Sequence, residues 1–231
     1  MSKENGMAQE DKEYLNALQK QWGYFAIYPP NRVFALGDYG KREGDEFEKL
    51  GNIRRWIEPK PQSKAGGNML FTSQGDVKTD LDFGVADKTG QCAVNVHLSF
   101  GKKWSIFFLA QNTTIVTTGN LMRVGERMVA EYKESGKDWQ LSYDWIEELV
   151  EAEVLTVVIA LEADSKATIS GKLPLKYQGL PVGDLDLRNF SVSRTAGTVS
   201  AFGPIPDATP LAKLYQVKDS AFKPATYEEV H

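Results

Sequence analysis

The sequence predicts an α+β fold: a twisted antiparallel sheet flanked by helices, with two long amphipathic β-hairpin regions. Two observations favour this class. Segments with helical periodicity occur near the start of the chain and again in its middle, and segments with strand periodicity fill the regions between and after them. Strands and helices do not alternate as they do in parallel βαβ units, so an antiparallel sheet is favoured.

The first predicted element is a helix from Glu10 to Trp22, in which apolar residues recur at helical spacing until Gly23 ends the pattern. A short strand, residues 24–28, follows and is ended by two prolines. Residues 31–67 are polar and contain many Gly and Pro residues, which predicts a long irregular segment.

The most regular strand pattern is a hairpin from Gly75 to Phe100, whose two arms alternate apolar and polar residues around a turn at residues 87–90. Each arm has about nine residues, which fits a half-buried strand and also the length that a strand needs to cross a bilayer. The apolar face of this hairpin consists of Val77, Leu81, Phe83, Val85, Val94, Val96, Leu98 and Phe100.

The middle of the chain predicts a strand followed by two helices. Residues 104–118 form a third apolar strand or strand pair. Asn120 caps a helix that runs to Ser135, and a second helix is predicted from Tyr143 to Glu151, with Trp145 and Leu149 among its apolar residues.

A second β region begins at residues 154–161, turns, and returns through residues 167–177. Shorter strands are predicted within residues 183–194, 197–202 and 209–218. The apolar face of the second hairpin region consists of Val157, Ile159, Leu161, Ile169 and Leu173.

Composition limits the class of protein. A chain of 231 residues, 42% of them hydrophobic, can bury one substantial core. The formal net charge of −4 gives no general attraction to nucleic acid, so no nucleic-acid partner is expected. The start of the chain has no apolar leader, and no apolar run reaches about 18 residues. These features predict a soluble cytosolic chain that only strands could insert into a membrane.

Residues for catalysis or metal binding are scarce, so neither an enzyme nor a cofactor or metal site is expected. Cys92 is the only cysteine, and it lies on the opposite strand face from His97, while the second histidine is His231. The motif Asp-Leu-Asp occurs at residues 80–82 and 184–186, where two carboxylates share one strand face. Each pair is either a cation or acid/base site or simply a solvated face.

Residues 54–64 combine four cations with Trp56 and Ile57. Such a segment is typical of a membrane-surface contact, and it is equally typical of a solvated loop anchored by one tryptophan. Both interpretations remain open from the sequence.

Three segments give the chain a family resemblance. Residues 68–90 begin with Asn-Met-Leu and continue through Gly-Asp-Val into the first hairpin, residues 145–174 contain the motif Val-Glu-Ala-Glu-Val-Leu-Thr, and residues 197–218 contain Gly-Thr-Val-Ser-Ala-Phe. In these segments, and in element order over residues 8–218, the chain resembles the pore-forming domain of gasdermins. The resemblance implies a gasdermin-like domain at residues 1–218 and a short C-terminal tail at residues 219–231.

The resemblance also implies a function. Gasdermin-like domains are soluble monomers that oligomerise on a membrane and extend two hairpins to close a large barrel, which permeabilises the membrane in regulated cell death or immune defence. The expected partners are membrane lipids, copies of the chain or an allelic variant, and a regulatory protein. The chain would be cytoplasmic when soluble and at the cell membrane when active. Lipid headgroups would contact the first helix and the segment after Asn52, through Lys12, Lys20, Arg54 and Arg55.

Three features depart from the family. Animal members carry a large inhibitory C-terminal domain, whereas about 13 residues follow Lys218 here. Bacterial members often carry a lipidated cysteine near the N-terminus, whereas Cys92 lies far inside the chain, and the net charge is negative. The first two features favour a stand-alone member, of fungal type or else of bacterial type, and the negative charge argues against a strong dependence on anionic lipid. The alternatives are a soluble α+β ligand- or protein-binding module without membrane activity, and an enzyme of unrecognised type.

Overall fold

The computed structural model describes residues 9–43, 46–73, 75–135, 139–220 and 223–230. Its helices are α1 (Gln9–Trp22) and α2 (Leu121–Ser135). Its strands are β1 (Phe25–Ala26), β2 (Asp38–Glu43), β3 (Glu46–Asn52), β4 (Gln62–Thr72), β5 (Val77–Phe83), β6 (Gln91–Phe100), β7 (Ile106–Thr117), β8 (Tyr143–Ala160), β9 (Lys166–Pro174), β10 (Ser191–Ala196), β11 (Val199–Ser220) and β12 (Lys223–Val230).

The described strands form two antiparallel sheets, which together with the helices make the mixed fold of the predicted α+β class. In the large sheet, β8 pairs with β11 on one side and with β7 and β2 on the other. Strand β4 continues the sheet beyond β7, β3 continues it beyond β2, and β1 and β12 pair with the far edge of β11. The small sheet has the order β10-β9-β6-β5.

The two faces of the large sheet are buried by different elements. Helix α1 packs through residues such as Leu18 against Ile106 and Phe108 of β7. The alternate residues Phe107 and Leu109 belong to a second core with the small sheet. Because side chains alternate between the faces of a strand, α1 and the small sheet cover opposite faces of β7. Helix α2 lies on a third cluster, which contains Trp139, Trp145 and Val217.

The helix predicted near the start of the chain and the helix predicted after Asn120 are both confirmed. In α1, Leu15 and Leu18 are buried while Lys12 and Lys20 are exposed, as the periodicity requires, but Trp22 is only half-buried. None of the helices in the described part of the chain has the length and apolar composition to cross a membrane.

The predicted helix from Tyr143 to Glu151 is wrong, because these residues begin the 18-residue strand β8. Trp145 and Leu149 are four residues apart, which imitates a helical stripe. The residues between them are also mostly buried, since β8 lies in the middle of the sheet with neighbours on both edges. A central strand buried on both faces lacks the simple alternation that identifies a strand in a sequence.

The predicted irregular segment at residues 31–67 is also wrong, because it contains β2, β3 and the first half of β4. Gly40 serves close backbone approach inside a strand instead of a turn. A Cβ atom on Gly40 would lie 1.9 Å from the Glu48 carbonyl oxygen of the neighbouring strand. Glycine inside a strand marks such contacts as well as loops, and composition does not separate the two.

The end of the chain is more regular than predicted. Residues 199–202 and 209–218, predicted as parts of two strands, belong to the single strand β11, whose pairing with β8 shifts register at three places. Within the expected tail, residues 223–230 form β12, which pairs with the outer edge of β11 from Leu214 onwards. Residues 221–222 and 231 lie outside the described residues.

Candidate functional site: the hinge between the two sheets

Each strand of the small sheet continues directly into a strand of the large sheet. The connections are β4 to β5, β6 to β7, β8 to β9 and β10 to β11. We call the connecting residues the hinge, namely 73 and 75–76, 101–105, 161–165, and 197–198. The strand order β4-β7-β8-β11 in the large sheet is matched by β5-β6-β9-β10 in the small one. Neighbouring strands therefore remain neighbours on both sides of the hinge.

Hydrogen bonds preserve this order through the hinge itself. The Gly101 N–H donates to the Asp76 carbonyl at 2.7 Å, and the Phe100 N–H donates to the Ser165 carbonyl at 2.9 Å. The Leu161 N–H donates to the Thr198 carbonyl at 2.9 Å. The four connections thus pair in the same sequence as the strands that they join.

Every connection contains one residue in the left-handed backbone region. These residues are Gly75, Trp104, Asp164 and Gly197, with φ values of 73°, 66°, 58° and 64°. Such a residue turns the strand so that the small sheet folds back over the large one. Left-handed geometry costs a residue that carries a Cβ about 1–2 kcal/mol, and an aromatic residue such as Trp104 seldom adopts it. At position 197 a Cβ would lie 2.5 Å from the Ser165 Oγ, so only glycine fits there.

The predicted face of the first hairpin lies mainly in the core below the small sheet. Strands β5 and β6 are antiparallel neighbours, with Leu81 opposite Val96 and Phe83 opposite Val94. The β6 members of the face are at most 1% exposed, and the β5 members are half-buried at the sheet edge. Val85 does not belong to this face, because β5 ends at Phe83 and the Val85 side chain is 97% exposed in the turn.

The predicted second hairpin is divided between two sheets. Val157 and Ile159 lie in β8 and pack in the core beneath α1, whereas Ile169 and Leu173 lie in β9 and pack in the core of the small sheet. Leu161 lies in the hinge and is half-buried. Because β8 pairs with β11 and β7, and β9 pairs with β10 and β6, the two arms are not paired with each other in this structure.

Where one strand continues into the next across the hinge, the apolar residues of the small-sheet core and those of the α1 core are both even-numbered or both odd-numbered. Val96 and Leu98 of β6 are even, as is Phe108 of β7, whereas Ile169 of β9 and Val157 of β8 are odd. Residues of equal parity share one face of a regular strand. If the hinge became regular strand, the apolar face of the small sheet would therefore continue into the α1-side face of the large sheet.

The four cations expected to contact headgroups are all exposed, but they lie on two separate elements. Lys12 and Lys20 are on α1. Arg54 and Arg55 are in a short 3-10 turn after β3, where Arg54 pairs with Glu58 at 3.4 Å and Arg55 lies over the Trp56 ring at 4.4 Å. The neighbouring Ile53 and Trp56 pack in the α2 cluster, whereas α1 packs in its own core.

The residues considered for chemistry do not converge on one place. The His97 Nδ1 lies 3.1 Å from the Thr168 hydroxyl on the outer face of the small sheet, and the buried Cys92 thiol donates to the Leu173 carbonyl at 3.4 Å. His231 lies outside the described residues. No group of three or more His, Cys, Asp or Glu side chains within the described ranges is placed to hold a metal ion.

The two Asp-Leu-Asp motifs differ in structure. Asp80 and Asp82 lie on the exposed face of β5, as predicted. The second motif is not in a strand, because Asp184 ends a 3-10 turn and Asp186 follows it. The Asp186 carboxylate accepts hydrogen bonds from both the Nε–H and the Nη2–H groups of Arg188.

A separate groove of about 550 Å³ lies on the large sheet. Phe34, Leu36 and Val116 provide apolar lining, and Glu151 and Asp207 place carboxylates at its wall. This groove is the place where a ligand-binding module would hold its ligand.

Sequence patterns missed Glu147, a buried carboxyl in β8 that is 6% exposed. Burial raises its pKa to about 7, and the hydrogen bond that its carboxylate accepts from the Thr118 hydroxyl opposes part of that rise. The folded-state pKa thus lies above the usual value of 4.5, so the folded protein binds more protons than the unfolded chain between these values. Folding stability should therefore fall as the pH rises through this window.

Glu147→Gln is expected to flatten this dependence and to stabilise the protein by about 2 kcal/mol at pH 8 relative to the native sequence. Urea unfolding at pH 5 and pH 8 measures the effect, with the exposed Glu151→Gln in the same strand as control. Part of the pH dependence of the free energy of unfolding should remain in the Glu147→Gln variant, because burial also raises the pKa of Asp144 against the opposing Arg42 charge. If the free energy of unfolding changed equally with pH in Glu147→Gln and in the native protein, the raised pKa of Glu147 would be contradicted.

No protein-family model matches the sequence, and no curated protein matches it. Function is therefore inferred from the geometry of the hinge and of the two sheets.

Proposed function

We propose that this protein is a pore-forming protein of the gasdermin type, which oligomerises on a membrane and inserts β-hairpins to permeabilise it. The observation that carries the proposal is the identical strand order on the two sides of the hinge. Straightening the four connections would join eight strands into four longer ones without breaking the pairing between neighbours.

The lengths and faces suit a bilayer. Strand β6 has 10 residues and β9 has 9, and a tilted strand crosses the hydrocarbon with about 9–11 residues. In the straightened form Val94, Val96 and Leu98 would face lipid, while Asn95 and His97 would face the aqueous side. In the compact form the same apolar side chains form the core, so one sequence serves both environments.

Assembly follows from the sheet edges. The straightened sheet would have β4 and β5 at one edge and, at the other, β10 and the part of β11 before Leu211, where neither β1 nor β12 pairs. Unpaired backbone groups are not tolerated in hydrocarbon, so these edges must pair with neighbouring copies. Head-to-tail pairing of two different edges generates a closed ring when the rotation between copies closes. The partners are therefore membrane lipids and copies of this chain or an allelic variant.

The biological role follows from permeabilisation. A protein held compact in the cytoplasm and converted to a pore at the cell membrane would cause regulated cell death or act in defence. A regulatory protein would then act on the compact form, since its stability sets the threshold for conversion.

Dye release from lipid vesicles tests the proposal directly. The purified protein is added to vesicles of neutral lipid and to vesicles that contain anionic lipid, after a trigger such as limited proteolysis or mild acid. Release with ring-shaped assemblies on the membrane is expected. Absence of release under every condition, together with saturable ligand binding in the 550 Å³ groove, would favour the binding-module alternative.

Charge reversal at Lys12, Lys20, Arg54 and Arg55 to Glu is expected to weaken binding to anionic vesicles by about tenfold or more, because each cation near such a surface contributes attraction. The loss should be larger at low than at high salt. Vesicle co-sedimentation measures it. Since the two pairs of cations lie on separate elements, each pair is also reversed alone. If a variant with one pair reversed binds vesicles as well as the native protein, the element that carries this pair does not contact the membrane.

A further inference from the structure

Two amide side chains of the large sheet hold the loop between β9 and β10. The Gln111 Nε2 donates to the Leu185 carbonyl, and the Gln111 Oε1 accepts from the Leu187 N–H at 3.1 Å. The Asn68 Nδ2 donates to the Gly183 carbonyl at 2.7 Å. Gln111 is only 5% exposed, so its two hydrogen bonds form away from solvent.

These amides occupy a β-bulge. Met69 of β4 pairs with Ala110 of β7 and Gly67 pairs with Thr113, so the single residue Asn68 stands opposite two residues of β7. The second of them, Asn112, has a left-handed φ of 49°, and its N–H donates to the Asn68 Oδ1 at 2.8 Å. Both amides face the loop by ordinary strand alternation, Gln111 with Leu109 on β7 and Asn68 with Leu70 on β4, and the bulge adds the bond from Asn112 to Asn68.

The held loop is part of the core. Leu185 and Leu187 are fully buried and Phe190 is 7% exposed, all in the cluster beneath the small sheet. The loop connects the two arms that would form the tip of the second hairpin, whereas Asn68 and Gln111 lie on strands of the first. The contact is thus a link between the two hairpin regions.

We infer that Asn68 and Gln111 form an amide latch, which keeps the second hairpin on the compact core until its hydrogen bonds to residues 183–187 break. The inference rests on the proposed function and adds a control point to it. Conversion would carry residues 183–190 to the tip of the second hairpin, away from β4 and β7, so all three amide hydrogen bonds must break first. Release of the second hairpin thus requires the loss of its contacts with strands of the first.

The test uses Asn68→Asp, which removes the donor to Gly183 and keeps the acceptor for Asn112, and Gln111→Met, which keeps the volume and removes both bonds. Asn16→Asp and Gln19→Met are the matched controls, because these exposed residues lie on α1, which covers the opposite face of the large sheet. Hydrogen exchange of the free protein is followed in peptides that cover residues 183–190 and, as a fold check, residues 157–160.

Exchange at residues 183–190 is expected to be about tenfold faster in the Asn68→Asp/Gln111→Met double variant, with residues 157–160 unchanged. Vesicle dye release by this variant should be correspondingly faster than by the native protein. Exchange no faster than in the controls would overturn the latch. Faster exchange with an unchanged rate of dye release would overturn its control over the hairpin. If neither the native protein nor any variant releases dye, the proposed function fails, and the exchange data still decide whether the amides hold the loop.

Discussion

Oxidation of a Leu70→Cys/Gly183→Cys variant is expected to abolish dye release from vesicles, and reduction is expected to restore it. A Cβ atom built on Gly183 lies 4.0 Å from the Leu70 Cβ, within the range of about 3.5–4.5 Å that a disulfide requires. The bond would tie β4 to the 3-10 turn between β9 and β10. In a straightened sheet this turn would lie at the tip of the second hairpin, far from β4, so the oxidised protein could not convert.

The positions suit the experiment for two reasons. Leu70 is 44% exposed, and Gly183 has no left-handed φ, so a side chain at either position should not disturb the fold. The native Cys92 is 1% exposed and should not compete for the new thiols. The two single-cysteine variants are the controls under both redox conditions. Equal dye release by the oxidised and reduced double variant would show that the small sheet stays in place during permeabilisation.

Local periodicity predicted the parts of the fold that have one solvent-facing side. Helix α1 buries Leu15 and Leu18 and exposes Lys12, and β6 buries Val96 while it exposes His97. In each case, one side of the element faces water and the other side faces the core, so the sequence repeats with the period of the element. Strand β8 has core on both sides over much of its length, and its sequence therefore lacks that repeat.

The hinge was beyond reach of sequence patterns because its residues are diverse. Gly75 and Gly197 are ordinary turn signals and aspartate is tolerated in this region, but nothing in the local sequence requires left-handed geometry at Trp104 or Asp164. What forces them is tertiary: the small sheet must fold back for Phe107 and Leu109 to share a core with it. The local conformational preferences of the hinge residues would therefore not bend the strands without this core.

The latch illustrates a second limit. Asn68 and Gln111 are amides in polar stretches of the chain, and nothing near them indicates a partner at residues 183–187. Alternation along β4 and β7 sets the face on which each amide lies. Only the tertiary fold brings residues 183–187 to that face, so the partner of the amides could not be read from their local sequence.

Phe83→Lys is expected to abolish dye release, whereas Asp82→Lys in the same strand should leave it intact. The two residues are adjacent in β5 and lie on opposite faces, with Phe83 opposite Val94 and Asp82 opposite Asn95. In a membrane-spanning hairpin a lysine at position 83 would face lipid, at a cost of about 2–4 kcal/mol per subunit near the bilayer midplane. A lysine at position 82 would face the aqueous side and cost little.

Position 83 is chosen because the compact form should tolerate it. Val96 is fully buried, so a lysine there would bring an unpaired charge into the core and unfold the compact protein. Phe83 is half-buried at the edge of the small sheet, where the aliphatic part of a lysine can pack and its ammonium can reach water. Thermal unfolding and vesicle binding of both variants are measured first, because only folded, membrane-bound proteins are informative. Because every subunit of a ring would carry the cost of a lipid-facing lysine, the loss of dye release is expected to be complete. If folded and bound Phe83→Lys released dye as well as Asp82→Lys, strand β5 does not cross the membrane on this face, and the proposed insertion of the first hairpin would be rejected.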